Sequence, residues 1–369
     1  MRKLIRTTLF TAVLLVFGVS MASGQTYELV ADQSDLTPSA GPPDAQCVVE
    51  ASNGTLVFFN TEAGGIYAWN GSLVEHTSPS ELNSNISDES GSIDRCDAVA
   101  IDGSDVVYFS LRSSSNNVNF IYRTDVADAT TYSVKEVNGI NGLAVDGSTL
   151  YLAGVADFGA TRNGVFETPA DLTGDTTAVA TNSNVDLRDA SIGVASDGTV
   201  YGWSSGSGNF QDVIVSVDPS ATSPSFSSFV DPYASGTLTD GDDGDNLIGD
   251  LDVVDYNGTE FIVVYNGSYN ASNGDEWGTI QISDQSVELL FTRADLTSNL
   301  GVSNYVSAFT EPTAVNSSGE VTVASREASF GGSYYLATVS DAAPLPVEMA
   351  GFDAVQNGSS VKLQWQTAS

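Results

Sequence analysis

Short apolar runs broken by a glycine turn recur six times along this chain. The copies read CVVEASNGTLVFF from Cys47, CDAVAIDGSDVVYFS from Cys96, INGLAVDGSTLYLAG from Ile140, SIGVASDGTVYGWS from Ser191, LDVVDYNGTEFIVVY from Leu251 and PTAVNSSGEVTVAS from Pro312. Each reads as two strands of β-branched and aromatic residues joined by a tight turn. The turn glycines are Gly54, Gly103, Gly147, Gly198, Gly258 and Gly319, at spacings of 49, 44, 51, 60 and 61 residues.

A repeat of this length with several strands per unit predicts an all-β fold, a six-bladed β-propeller with four-stranded blades. In the first unit the strands are expected at 46–51, 55–59, 65–69 and 73–77, with Asn53-Gly54 and Asn70-Gly71 as hairpin turns. Fourth strands of later units are expected at 132–137, 176–181, 226–230 and 286–292. The sixth unit lacks one: after residues 333–339 comes Asp341-Ala-Ala-Pro-Leu-Pro, which cannot continue a sheet. The N-terminal stretch 26–31, TYELVA, resembles the other fourth strands and is expected to pair beside 333–339, closing the ring and covering its open edge.

Residues 44–339 resemble the six-bladed propellers of the broad NHL, TolB and gluconolactonase-like group, by strand pattern. A second resemblance lies in the last 25 residues. Leu345-Pro-Val-Glu-Met349, Phe352, Ala354, Asn357-Gly358, Val361-Lys-Leu-Gln-Trp365 and Thr367-Ala-Ser369 look like the opening of a fibronectin-III-like module found in type IX secretion substrates, with Met349 where leucine is usual. That resemblance implies export across a Gram-negative outer membrane by secretion machinery that reads a C-terminal domain missing here. A piece this short is a truncated β-sandwich stub. The expected organisation is a signal peptide at 1–24, the propeller at 25–343, and a linker with the stub at 344–369.

The signal is read from Arg2, Lys3 and Arg6, a short apolar core over 9–19, and small residues Ala22-Ser23-Gly24 at the cleavage point. The core is too short to span a bilayer, and no other run is long enough, so no membrane insertion is expected. Net charge is −35, from 32 Asp and 15 Glu against 9 Arg and 3 Lys. The acids are scattered. This excludes a nucleic-acid groove, which needs clustered cations, and disfavours an anionic membrane surface. Two readings of the scatter stand: a solvated surface adapted to high salt, which the lack of clustering favours, and a cation-binding surface. Cys47 and Cys96 each precede their turn glycine by seven residues. In a secreted chain they form one disulfide, unless neighbouring blades hold them too far apart, in which case they are two buried small side chains.

Candidate chemistry is narrow. The single histidine, His76, falls on an outer strand, where a Ser-His-Asp triad would lack a pocket. Histidine and cysteine are too few for a zinc site, and no phosphate-binding or dinucleotide motif is present. What remains is carboxylate chemistry at the residues preceding each inner strand, which crowd the mouth of the central channel. Asp94, Asn138, Asp189, Asp250 and Glu311 are candidate Ca²⁺ ligands from several blades, with Asp97, Asn141, Arg188 and Asp252 beside them as ligand-binding residues. Resemblance to gluconolactonase-like propellers implies a central metal supporting lactone hydrolysis; the same carboxylates could serve as an acid/base pair on a sugar. The run Asp240-Gly-Asp-Asp-Gly-Asp-Asn246 is either a peripheral Ca²⁺ loop or a solvated linker. Trp69, Tyr201 and Trp203 sit in strand patterns and are expected in the core. Tyr269 and Trp277 flank a polar loop and are expected at the surface, against an extracellular ligand such as a polysaccharide. The leading expectation is a non-catalytic binding or surface-display role, the alternative a Ca²⁺-dependent hydrolase.

Overall fold

The computed structural model describes residues 25–36, 45–61, 63–86, 92–113, 119–137, 139–154, 163–187, 192–239, 246–268, 275–301, 304–305, 313–316, 318–327, 334–340, 349–357 and 360–367. The signal-like segment 1–24 and the acidic run 240–245 lie outside them.

Strand β1 (Thr26–Ala31) comes first. Blade I is β2 (Ala45–Glu50), β3 (Leu56–Asn60), β4 (Gly65–Trp69) and β5 (Leu73–Thr77). Blade II is β6 (Ile93–Ile101), β7 (Val106–Ser113), β8 (Asn119–Asp125) and β9 (Asp128–Glu136). Blade III is β10 (Gly142–Asp146), β11 (Thr149–Ala153), β12 (Gly164–Pro169) and β13 (Thr177–Thr181). Blade IV is β14 (Ile192–Val194), β15 (Val200–Ser205), β16 (Gln211–Val217) and β17 (Ser227–Val230). Blade V is β18 (Asn246–Tyr256), β19 (Thr259–Ser268), β20 (Glu276–Gln281) and β21 (Val287–Thr292). In blade VI the inner position is shared by β22 (Asn304–Tyr305) and β23 (Thr313–Val315), both paired with β24 (Val321–Glu327); β25 (Tyr334–Ser340) follows. Every pairing is antiparallel, and all join sequence neighbours except β22 with β24 and β1 with β25. β1 pairs with β25, Thr26 opposite Ser340 and Leu29 opposite Ala337, so the N-terminal strand completes the last blade as the pattern predicts. The outer strand of blade II begins four residues before the expected Tyr132, because Asp125 and Asp128 pair across a tight turn. Apart from the ring, β26 (Met349–Asn357) and β27 (Ser360–Thr367) form a two-stranded hairpin.

The ring is held by six apolar junctions, one between each pair of neighbouring blades. Side chains alternate between the two faces of a strand, and the second strands send alternate residues to opposite neighbours. Val57 and Phe59 of β3 pack in the core shared with blade II, Leu56 and Phe58 in the core shared with blade VI. Ile262 and Val264 of β19 face blade IV; Val263 and Tyr265 face blade VI. Strands buried on both faces are therefore continuous apolar runs rather than alternating ones. The sixth junction joins Ala314, Ala324 and Leu336 to Val48, Phe58 and Tyr67, closing the ring.

Cys47 and Cys96 form a disulfide between the inner strands of blades I and II, with Cα atoms 6.2 Å apart. Inner strands lie closest together around the axis, which brings equivalent positions of adjacent blades within bridging range. The ladder slips between Gln46 and Val49 and between Cys96 and Ala98, and Cys47 takes a left-handed φ of 53°. Such bulges re-aim a side chain. The bridge spans 49 residues, a loop whose closure restricts the unfolded chain by up to about 4 kcal/mol. Replacing both cysteines by serine is expected to lower stability by about 2–4 kcal/mol, read as a lower guanidinium midpoint than that of the oxidised protein. Equal midpoints would show that the bridge adds nothing.

Candidate functional site at the inner strands

Of the channel-mouth residues, Asp97, Asn141, Asp250, Asp252 and Trp277 are described with their side chains. Asn138, Asp189, Arg188, Tyr269 and Glu311 lie outside the described residues, as does the side chain of Asp94, whose backbone belongs to β6.

Asp97 is the extra residue of the second β6 bulge and is buried. Its Oδ1 lies 2.6 Å from Arg95 Nε and its Oδ2 3.6 Å from Arg112 Nε. The Asn119 amide donates to Oδ2 at 2.8 Å and to Ser110 Oγ at 3.2 Å. Two guanidinium groups and an amide thus neutralise a buried carboxylate, as burial of a charge requires. Asn141 makes no such network among the described residues. Its Nδ2 is buried without a hydrogen bond, pressed against Gly154 of its own blade, where a Cβ would come within 2.6 Å of it.

Asp250 is buried in β18 and accepts the Thr313 backbone N–H on Oδ2 at 2.9 Å, bridging blades V and VI. Thr313 Oγ1 in turn accepts from Trp277 Nε1 at 3.1 Å. This corrects the expectation for Trp277. It is fully buried, with ring centroids 4.8 Å from Phe291 and 5.0 Å from Tyr265. The polar loop before it ends at Asp275, and Trp277 is the second residue of β20, directed into the junction with blade VI. Beside it Asp275, also buried, accepts from the Tyr265 hydroxyl at 3.0 Å and faces Arg293 at 3.5 Å. Sequence reasoning missed this third buried carboxylate. Its signal was an Asp flanking a strand with an Arg eighteen residues on, which cannot be told from a surface pair without the fold.

Asp252 differs from its neighbours. Leu251 and Val253 point to blade IV, while Asp250 and Val254 point to blade VI, so alternation turns Asp252 toward blade VI as well. Gly193 lets β14 approach the other side of this strand, since a Cβ there would meet Val253 Cγ2 at 2.5 Å. Asp252 keeps some solvent contact yet is surrounded by protein, and no hydrogen bond or ion pair reaches its carboxyl among the described residues. Burial pushes its pKa up to about 7. It is thus a carboxyl that changes charge near neutrality on the inner strand of a propeller. Perturbed carboxyls of this kind cluster at functional sites.

His76 stands on the outer strand β5, with Nε2 2.9 Å from the Asp125 carbonyl and Nδ1 3.1 Å from Thr77 Oγ1, a link from blade I to blade II. Among the described residues, no three His, Cys, Asp or Glu side chains gather to hold a metal ion.

These features define an all-β six-bladed propeller with a polar inner ring. Solved structures of the same architecture include a gluconolactonase from Xanthomonas campestris (11% identity, TM-score 0.50, covering 86% of this chain and 90% of that one). Virginiamycin B lyase from Staphylococcus aureus is similar at 11% identity and TM-score 0.45, covering 86% and 99%. An ancestral GH74 enzyme matches at 11% identity and TM-score 0.49 over 90% of this chain and 49% of that one, so the chain spans about half its length. At these identities the likeness is one of fold. No protein-family model matches the chain, and no curated protein matches it.

Trp277→Ala is expected to cost about 3–5 kcal/mol, measured by denaturant unfolding; a loss under 1 kcal/mol would return Trp277 to the surface. Because the folded pKa of Asp252 is raised, its protonated form favours folding. That contribution is complete below the unfolded pKa, near 3.8, and is lost as pH rises through about 7. Asp252→Asn should therefore match the parent protein at pH 3.5 and exceed it increasingly up to pH 8, by at most about 4 kcal/mol. A difference independent of pH would refute the assignment.

Proposed function

We propose that this chain is an exported propeller, adapted to salty surroundings, that holds a polar extracellular ligand such as a polysaccharide at its strand-entrance face in a binding or surface-display role. The observation that carries this reading is how the described carboxylates there are engaged. Asp97 is held by Arg95, Arg112 and Asn119, and Asp250 by the Thr313 N–H. Groups fixed in this way build a rigid rim and are poor nucleophiles or bases. Export is supported by the signal-like N-terminus, by the C-terminal likeness to the fibronectin-III-like module of type IX secretion substrates, and by the disulfide, which persists in oxidising compartments. The net charge of −35 supports solvation in salt.

A second reading has one observation in its favour. Asp252, which no described residue pairs and whose pKa burial raises to about 7, has the property a general acid/base needs. In that reading Ca²⁺ held by Asp94, Asn138, Asp189, Asp250 and Glu311 assists hydrolysis of a lactone or glycoside, the chemistry of oxygen-rich sites. One experiment separates the two: incubate the protein in molar salt with and without Ca²⁺ against lactone and glycoside panels, and titrate Ca²⁺ by calorimetry into the parent, Asp189→Ala and Asp252→Asn proteins. The binding role predicts no turnover and no one-site Ca²⁺ heat that depends on Asp189. Turnover with a pH limb near 7, abolished in Asp252→Asn, would replace it with the hydrolase.

A further inference from the structure

On the hairpin face of the ring, opposite the strand entrances, blades II and III part to leave a cleft of about 570 Å³, within the size range of small-molecule sites. Blade II contributes Asp102, Tyr108 and Arg123; blade III contributes Glu167, Asp171 and Asp175. The odd member is Arg123. Among the described residues it makes no ion pair, although four carboxylates line the same cleft. Its guanidinium rests beside the buried Tyr108 ring, with Cζ 6.0 Å from the centroid, and its Nε is sealed from water without a hydrogen bond. Tyr108 is itself pinned, its hydroxyl donating to Asp102 Oδ2 at 3.3 Å. The guanidinium is therefore oriented by the ring and hydroxyl of Tyr108 rather than by a carboxylate, and among the described residues no ion pair compensates its charge at short range.

The facing acids are held ready in the same sense. Asp171 Oδ1 accepts the Thr173 N–H at 3.0 Å and its hydroxyl at 2.7 Å. These bonds lower its pKa, with Arg123 adding a weaker pull across the cleft. Arg123 and Asp171 thus sense each other without meeting. Arg123 and Asp171, on opposite walls and neither ion-paired among the described residues, are bridged by a molecule carrying both charges, while Lys135, bonded to Thr168 Oγ1 and the Gly174 carbonyl, attracts Asp175 from beside the cleft. A plain anion would be repelled by the four acids, and a plain cation would leave Arg123 unanswered.

We propose that this cleft binds a small zwitterion of the amino-acid type, its carboxylate on Arg123 and its ammonium among Glu167, Asp171 and Asp175. Carboxylate recognition by arginine is strong because the planar fork donates two parallel bonds. The site is separate from the inner ring and independent of the role proposed there.

The test is saturation-transfer NMR on the 369-residue protein with an equimolar mixture of the common amino acids. Isopentylamine and 4-methylpentanoate, the single-charge analogues of leucine, serve as controls, with glucuronate as an acidic sugar. Signals from one or more amino acids are expected, with none from the single-charge analogues. Arg123→Met and Asp171→Asn/Asp175→Asn should each weaken binding roughly tenfold or more. Should Arg123→Met fail to fold, Glu167→Gln, whose side chain stands at the cleft wall, must still weaken binding. No transfer to any amino acid, equal transfer to 4-methylpentanoate, preference for glucuronate, or binding unchanged in the folded variants would each overturn the proposal.

Discussion

Everything in this fold depends on closing a ring of two-faced sheets. A sheet with apolar side chains on both faces is stable only when both are covered, and each blade has a neighbour on either side only if the ring is complete. The junction between blades VI and I is therefore not one contact among six but the condition for the other five. It is assembled from the two ends of the repeat region: β1 supplies the missing outer strand of blade VI, while its last residue Ala31, and Leu36 beyond it, pack with Phe58, Tyr67 and Leu336. The edge that would otherwise be left open on β25 is the kind that invites pairing with another chain.

Ring closure also dictates the chemistry of the inner strands. They converge on the axis, so their side chains meet across short distances, and polar groups there must find partners or change charge. Cys47 and Cys96 resolve this covalently. Asp97 resolves it with two arginines and an amide, and Asp250 by reaching across to the backbone of the next blade. Asp252 has none of these and responds through its proton affinity. The bulges in β2, β6 and β18 occur at or beside these residues. That coincidence is physical: an extra residue redirects a side chain without breaking the rest of the ladder.

The architecture was legible because its signals are local. Glycine turns such as Gly54, Gly198 and Gly258, all with positive φ, and short continuous apolar runs such as Leu56–Phe59 are encoded within a few residues, and the shortage of one strand in the last unit pointed to β1. What was not legible depends on distance between blades. Whether Cys47 and Cys96 meet is decided by the ring's inner radius, which no strand pattern contains. Trp277 looked exposed because its neighbours in sequence are polar; its burial comes from Phe291 and Thr313, fourteen and thirty-six residues away. The cleft of Arg123 was invisible for the same reason, being built from the turns of two different blades.

The acidity of the chain gains a second meaning in the structure. Aspartates sit at turn after turn with a serine or threonine two residues on, and the carboxylate accepts that residue's N–H: Asp102 from Ser104 at 2.8 Å, Asp128 from Thr130 at 3.0 Å, Asp197 from Thr199 at 2.8 Å, Asp218 from Ser220 at 2.8 Å, Asp284 from Ser286 at 2.9 Å. A short side-chain acceptor that mimics the backbone is what a tight turn requires, and these bonds hold the carboxyls of Asp128, Asp218 and Asp284 below their usual range. A propeller of four-stranded blades needs many hairpins, so a repeat that uses aspartate as its turn residue becomes acidic as a by-product of its topology. Charge that defines the turns locally needs no clustering to do so. That explains why the acids are spread evenly along the chain, and why the few arginines matter so much wherever, as at Asp97 and in the cleft beside Tyr108, one is placed among them.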